Sequence, residues 1–473
     1  MQPNPSRKNG WLYFQLKSSE ISGSSEYSGL PYSCIPSIEP FMKASTLIPV
    51  TPLPSAKKDL SPTPAYQRRF HVMAKPAGAQ CNLDCDYCFY LHKEDLLQQP
   101  KKPVMDDATL ERFIANYIDS QDGEEIVFSW QGGEPTLMGL DFYKKVVALQ
   151  KKYQPQGVRI ENDLQTNGVL LNDKWCEFLA ENNFLVGISI DGPRELHDKC
   201  RKMRSGKPTF DKVMAAIDCM KRHGVRFNVL AVINRYNAKY PLEVYRFLTR
   251  EVGATYVQFT PCVEPKDFTT TAPQFWSESM IPVQDSPRCK PGHPLSVVHD
   301  WSVDADDWGE FLKVTFEEWV NNDMGRVLVN LFETAVAQTL GKPAQICATA
   351  EFCGKGAAVE HDGKVYSCDH YVYPEYELAN IHDMSLADMV ISDRQKAFGL
   401  GKRNTLPKQC KKCHFLRLCW GECPKNRLLK TKDGEPGLNY LCSGMHAFYQ
   451  YAAPMLVGIA TLVKQGKLPL ARQ

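Results

Sequence analysis

The chain has 473 residues, 43% of them hydrophobic, and a formal net charge of +2 at pH 7. That length predicts two or three domains with ample core, and so even a charge balance gives no reason to invoke nucleic acid or an anionic membrane as partner. The most apolar stretch, residues 452–463, is too short to span a bilayer and contains Pro454 and Gly458. No secretory leader is legible near the N-terminus, so the expectation is a cytoplasmic protein. In a reducing compartment the seventeen cysteines point to metal or redox chemistry, and their odd number argues against a fully paired disulfide scaffold.

Residues 1–69 are rich in proline and serine without apolar periodicity, which predicts a disordered tail. From Phe70 onward a β–α alternation begins. Strand-like runs cover 70–75, 126–130, 159–166, 185–191, 226–233 and 255–261, and helical patterns cover 108–118, 142–152, 173–181, 210–222 and 241–251. Six strands separated by helices imply parallel pairing with right-handed crossovers. The expected fold is α/β, a partial (β/α)6 barrel over residues 70–303 whose chemistry gathers at the carboxyl ends of the strands. Within it 262–303 reads as an irregular connection. Residues 304–346 read as a helical linker, with a helix over 304–322. Residues 347–450 form a cysteine-rich domain with little regular structure before a closing helix from about Ser443. Residues 451–473 are expected to be that helix and a tail.

After the first strand comes Cys81-Asn-Leu-Asp-Cys85-Asp-Tyr-Cys88. Three thiolates suit three irons of a [4Fe–4S] cube and leave the fourth iron open to a chelating ligand. A zinc site would want a fourth ligand, for which His92 is close enough in sequence. The second strand ends in Trp130-Gln-Gly-Gly-Glu-Pro135, where paired glycines allow close backbone approach to a ligand and Glu134 can accept from an ammonium group. Gln165-Thr-Asn-Gly168 closes the third strand and Gly187-Ile-Ser-Ile-Asp-Gly-Pro193 the fourth. Ser189 and Arg201 suit a carboxylate, the arginine through a bidentate pair. Read alone, each is equally a strand hydroxyl and a solvated cation.

Further on, Cys347 and Cys353 precede Gly363-x4-Cys368, then Cys410-x2-Cys413-x5-Cys419-x3-Cys423, and finally Cys442. Eight thiolates can ligate two more cubes, although a pair of zinc ribbons satisfies the same spacing. The scattered Cys34, Cys176, Cys200, Cys219, Cys262 and Cys289 read as small buried or incidental thiols.

The CxxxCxxC spacing, with Tyr87 at the aromatic position before the third cysteine, resembles the radical SAM superfamily signature, and Gly132-Gly-Glu-Pro135 resembles its GGEP motif. The resemblance implies that Glu134 holds the amino group of S-adenosylmethionine (SAM) and that Ser189 and Arg201 hold its carboxylate. Tyr87, Gln131 and Asn167 complete the implied cofactor site. The later cysteines resemble the SPASM extension. That implies one auxiliary cluster on Cys347, Cys353, Cys368 and Cys423 and another on Cys410, Cys413, Cys419 and Cys442, three [4Fe–4S] clusters in all.

The motifs at 81–90, 130–136, 165–168, 187–193 and Cys368-Asp-His370 together resemble anaerobic sulfatase-maturating enzymes over roughly residues 70–460. That family oxidises a serine or cysteine of a sulfatase to Cα-formylglycine. The implied partners are an unfolded or nascent sulfatase carrying Cys/Ser-x-Pro-x-Arg and an electron donor such as flavodoxin or ferredoxin. The resemblance implies a 5′-deoxyadenosyl radical that takes hydrogen from the target Cβ, a base that takes the hydroxyl or thiol proton, and an electron leaving to an auxiliary cluster. Asp369 is the candidate base, and partial burial is expected to raise its pKa. The plainer alternative is a structural carboxylate. His370 is a candidate partner for it, and Tyr90 and Gln131 are candidates for shaping the pocket. Two rival functions share many of these features: a radical SAM/SPASM peptide maturase forming thioether or carbon–carbon links, and a non-catalytic zinc protein that binds partners.

Overall fold

Runs rich in β-branched and aromatic residues form β1 (His71–Lys75), β2 (Glu125–Trp130), β3 (Arg159–Thr166), β4 (Leu185–Ser189), β5 (Arg226–Ile233) and β6 (Tyr256–Pro261). The computed structural model describes residues 69–468 apart from 268, 273–276 and 278. The tail expected over residues 1–69 therefore lies outside the described residues, save for Arg69. Neighbouring strands pair in parallel in chain order. Each connection carries a helix that returns the chain to the start of the next strand. These helices are α1 (Asp107–Asp119), α2 (Leu140–Tyr153), α3 (Asp173–Glu181), α4 (Arg194–Cys200), α5 (Phe210–Arg222) and α6 (Pro241–Arg246). Side-chain caps start two of them: Asp106 accepts from the Thr109 amide and Asn172 from the Trp175 amide. Phe113, Phe128, Trp130 and Tyr143 are buried against one another between the sheet and α1 and α2.

The α/β expectation holds, and the sheet is wider than expected. A short β7 (Leu328–Val329) pairs in parallel with β6. At the other edge β8 (Gly356–Glu360) runs parallel to β1 over five pairs, from His71 opposite Gly356 to Lys75 opposite Glu360. The chain continues antiparallel through β9 (Lys364–Tyr366) and β10 (Glu377–Asn380), giving one open ten-stranded sheet. The cysteine-rich region, read from sequence as nearly free of regular structure before its last helix, thus supplies three strands to this sheet. It also forms a helix over Asp393–Asn404. An uncovered β1 would present a row of unpaired backbone donors and acceptors, and β8 satisfies them.

The helix expected over 304–322 is α7 (Ala305–Glu318) with a wider turn through Asp323, and α8 (Asn330–Thr339) follows β7. The closing helix, α9 (Cys442–Lys464), lies across α7 where two glycines meet. A Cβ built on Gly444 would sit 1.8 Å from the Ala305 carbonyl oxygen, and one on Gly309 2.6 Å from the Gly444 Cα. Among the described residues no helix is long and apolar enough to cross a membrane. Gly444→Ala must push α9 off α7, and we expect about 1–3 kcal/mol of lost stability, read as a lowered denaturant midpoint.

Candidate functional site

The loop that leaves the carboxyl end of β1 carries Cys81, Cys85 and Cys88. The turn after β2 holds this loop by backbone alone: the Gly133 amide donates to the Gly78 carbonyl at 2.9 Å and the Glu134 amide to the Gln80 carbonyl at 2.8 Å. A Cβ on Gly133 would lie 2.0 Å from the Gln80 oxygen. The glycine pair therefore serves close approach to the cysteine loop, whereas the sequence suggested approach to a ligand. Gln131 extends the β1–β2 pairing, its amide donating to the Ala74 carbonyl at 2.9 Å.

Glu134 is buried and cross-links three motifs. Its Oε1 accepts from the Thr136 amide at 3.0 Å and from the hydroxyls of Thr136 and Thr166 at 2.6 and 2.7 Å, and its Oε2 accepts from the Asn167 amide at 2.8 Å. Burial pushes its pKa up against these donors. Oε2, with one bond made, has acceptor capacity left for an ammonium group. Asn167 reaches the cysteine loop, its Nδ2 donating to Asn82 Oδ1 at 2.8 Å and lying 3.8 Å from Cys81 Sγ, which also accepts from the Leu83 amide at 3.4 Å.

Arg201 is no solvated cation. It is buried with Nε 3.1 Å from Asp191 Oδ2, and its guanidinium lies 5.4 Å from the centre of the Tyr87 ring. Tyr87 donates its hydroxyl to the same Asp191 carboxylate, whose other oxygen accepts from the Val232 amide at 3.0 Å. Asp191 escaped the sequence reading although it stands in the 187–193 motif. Ser189 is also buried and pairs with Gln165, accepting from Nε2 at 3.0 Å. Ser189 and Arg201 thus have separate protein partners.

At the end of β1, buried Lys75 forms an ion pair with Asp369 and places its ammonium 4.2 Å from the Tyr90 ring centre. Tyr90 donates to Glu360, the residue facing Lys75 across the β1–β8 pairing, and Glu360 also accepts from Gln99 Nε2 at 3.0 Å. Tyr90 therefore ties the cysteine loop to β8. Burial alone would raise the Asp369 pKa, as the sequence reading expects. Lys75, through its charge and its hydrogen bond, outweighs it and holds the carboxyl below its usual range. That correction has a plain cause, a buried lysine contributed by a distant strand end. Lys93 lies with its ammonium 3.2 Å from the centre of the Tyr373 ring, and Lys425 is 2.7 Å from Glu264. His370 sits edge-on to Phe89 with Nδ1 3.7 Å from Cys423 Sγ. Burial pushes its pKa down to about 4, so the ring is neutral at pH 7.

The eight later thiols fall into two groups. Like-charge repulsion from Cys347, Cys423 and Cys353 adds to burial in pushing Cys368 well up, and Cys353 and Cys347 act likewise on Cys423. Cys410, Cys413, Cys419 and Cys442 line a cavity of ≈ 200 Å³ together with His414, Phe415 and Tyr449. Glu422, which the sequence reading passed over as a spacer, is buried beside both groups and accepts from the Cys423 amide at 2.6 Å and from Asn439 Nδ2 at 3.0 Å.

Buried thiols favour their protons, as at Cys81 and Cys419, both pushed up to about 12 chiefly by burial. Metal binding replaces those protons. A zinc ion at about 2.3 Å from each sulfur would draw thiolates to within about 4 Å of one another. No three of these eleven thiols lie within 4.8 Å of one another, farther apart than a single zinc ion would hold them. His92, the candidate fourth zinc ligand, joins no such group either.

Residues 76–248 match the radical SAM superfamily, and residues 347–414 match the SPASM iron–sulfur cluster-binding domain. The chain is thus a radical SAM enzyme with a SPASM region, a class that carries iron–sulfur clusters and binds SAM. It is 46% identical over 398 residues to a serine-type anaerobic sulfatase-maturating enzyme of Bacteroides thetaiotaomicron, covering 83% of this chain and 91% of that one. It is 32% identical over 395 residues to a cysteine-type anaerobic sulfatase-maturating enzyme of Clostridium perfringens, covering 83% and 99%. A solved structure described as native anSMEcpe with bound AdoMet and Kp18Cys peptide superposes with a TM-score of 0.70 at 32% identity, covering 83% of this chain and 99% of that one. The chain belongs to the anaerobic sulfatase-maturating enzymes.

Removing Lys75 leaves Asp369 buried without its cation. Lys75→Met should cost about 3–5 kcal/mol of stability, measured by denaturant unfolding under anaerobic conditions.

Proposed function

We propose that the protein oxidises an active-site serine, or a cysteine, of a sulfatase to Cα-formylglycine. The supporting observation is the position of Asp369. It follows Cys368 directly and meets Lys75 at the carboxyl end of β1, the strand that leads into the loop of Cys81, Cys85 and Cys88. In this reading Cys81, Cys85 and Cys88 hold the cube that engages SAM. Cys347, Cys353, Cys368 and Cys423 hold one auxiliary cluster, and Cys410, Cys413, Cys419 and Cys442 the other. Bound together, these groups supply a 5′-deoxyadenosyl radical that takes hydrogen from the target Cβ, and an acceptor for the electron left behind.

The chain's own residues bind and orient around that chemistry. Glu134 Oε2 accepts from the SAM ammonium group. Arg201, aligned by Asp191 and Tyr87, and Ser189, aligned by Gln165, face its carboxylate. Gln131 and Asn167 shape the site beside them. Asp369 is ionised at neutral pH because of Lys75, so it is ready to accept the hydroxyl or thiol proton. Once protonated it gives up that ion pair, which favours handing the proton on to solvent. The substrate is read as an unfolded or nascent sulfatase segment of the form Cys/Ser-x-Pro-x-Arg, and the electron source as reduced flavodoxin or ferredoxin. Serine is read as the preferred target, on the 46% identity to the serine-type relative against 32% to the cysteine-type one.

The test incubates the reduced enzyme and SAM with paired Ser- and Cys-x-Pro-x-Arg peptides. The serine peptide should lose two mass units at that residue, and faster than the cysteine peptide reacts; a thioether or carbon–carbon link would replace this reading with peptide cross-linking. Asp369→Asn should lower stability, since it leaves Lys75 without its anion, while the folded enzyme keeps its iron and SAM cleavage and formylglycine yield falls about 10²–10⁴-fold. Unchanged yield would remove the residue from the role of base. Cys81→Ala should abolish SAM cleavage, whereas Cys413→Ala should lower auxiliary iron and leave the first cube in place, as counted by iron analysis and EPR.

A further inference from the structure

The outer helices carry a second set of metal-type donors apart from the eleven thiols above. Asp173, Cys219 and His223 are the one group of three or more His, Cys, Asp or Glu ligand atoms among the described residues that lie within 4.8 Å of one another. Asp173 opens α3, Cys219 lies in the last turns of α5, and His223 follows α5 one helical turn later, so the i, i+4 spacing puts thiol and imidazole on one face. His223 Nε2 is 2.8 Å from Asp173 Oδ1 and Cys219 Sγ is 3.3 Å from the same oxygen. Cys176, one turn along α3 from Asp173, makes a side-chain contact with the Cys219 thiol.

We propose that Asp173, Cys219 and His223 bind one zinc(II) ion that clamps α3 to α5. The donor set selects the metal: thiolate and imidazole favour zinc over calcium or magnesium, which take oxygen ligands. The imidazole and the thiol stand 2.8 and 3.3 Å from the Asp173 oxygen and within 4.8 Å of each other, so a few tenths of an ångström of opening at the carboxylate admits an ion at about 2.0–2.3 Å from each. Charge closes as well. Binding releases the Cys219 proton to solvent, and carboxylate, thiolate and neutral imidazole then balance the dication. The fourth position falls to water or, after a small rotation, to Cys176. Arg222, now 3.1 Å from Asp173 Oδ1, is a helix-surface side chain that swings out when the cation arrives. Cys219 is buried while Asp173 and His223 reach solvent, so the ion has an entry path and a protected sulfur.

The experiment uses the anaerobically purified holoenzyme with its clusters intact. It is given one equivalent of zinc, desalted against a weak chelator, and analysed for zinc, iron and sulfide. Wild type should keep its zinc, and His223→Gln and Cys219→Ser should lose it with iron and sulfide unchanged. Zinc should raise the thermal midpoint of wild type and not that of His223→Gln, a surface change that spares the fold. Zinc-edge X-ray absorption should show a first shell of nitrogen and oxygen with one or two sulfurs. Equal zinc in all three proteins, or a shell of four sulfurs marking occupation of cluster thiols, would overturn the proposal.

Discussion

The buried pair of Lys75 and Asp369 is the constraint on which the rest of the site turns. An ammonium buried at the end of β1 has no access to water, so it demands an anion, and Asp369 comes from a segment almost three hundred residues later. Around this pair Tyr90 bridges to Glu360, and β8 aligns residue for residue with β1. The charge requirement thus fixes where the cysteine-rich region sits relative to the loop of Cys81. It also keeps the candidate base ionised. On the proposed reading of Asp369 as base, a single buried contact joins folding to the proton step.

Two other buried charges of the site, Glu134 and Arg201, likewise have partners supplied by other motifs. Glu134 is shared among the ends of β2 and β3, and Arg201 among Asp191 and Tyr87. On the proposed reading, these networks hold the side chains that would meet SAM in one orientation before it arrives, which lowers the ordering cost of binding. They also explain why two separate tyrosines near the first cysteines are buried. Tyr87 supports the arginine and Tyr90 supports the lysine.

Much of this was legible in the sequence. The strands β1 to β6 and the helices between them, apart from the short α4, follow from the β–α alternation of apolar patterns, and the helices 305–318 and 442–464 were visible from their own apolar pattern. The eleven grouped cysteines were visible through spacing. What escaped were β8, β9 and β10, which stand in a cysteine-rich stretch without the β–α alternation that marks β1 to β6, and of which β8 takes its register from distant β1. Asp191, Lys75 and Glu360 escaped because their roles depend on partners far away in the chain; Tyr90 and Glu360 stand 270 positions apart. The pKa of Asp369 was misjudged for that reason, because burial can be guessed from a motif and a buried counter-ion cannot. Cys176 and Cys219, read as small buried or incidental thiols, are indeed buried, and their meeting depends on helix packing.

The seam between β1 and β8 carries a mechanical consequence. The two iron-binding regions are joined by a continuous parallel ladder, not by a flexible tether, so swinging one away from the other would tear five residue pairs of backbone bonding. Electron tunnelling rates fall off steeply with separation, and a rigid weld keeps that separation constant from one turnover to the next. On the proposed reading, the target polypeptide must reach the site without the two regions swinging apart.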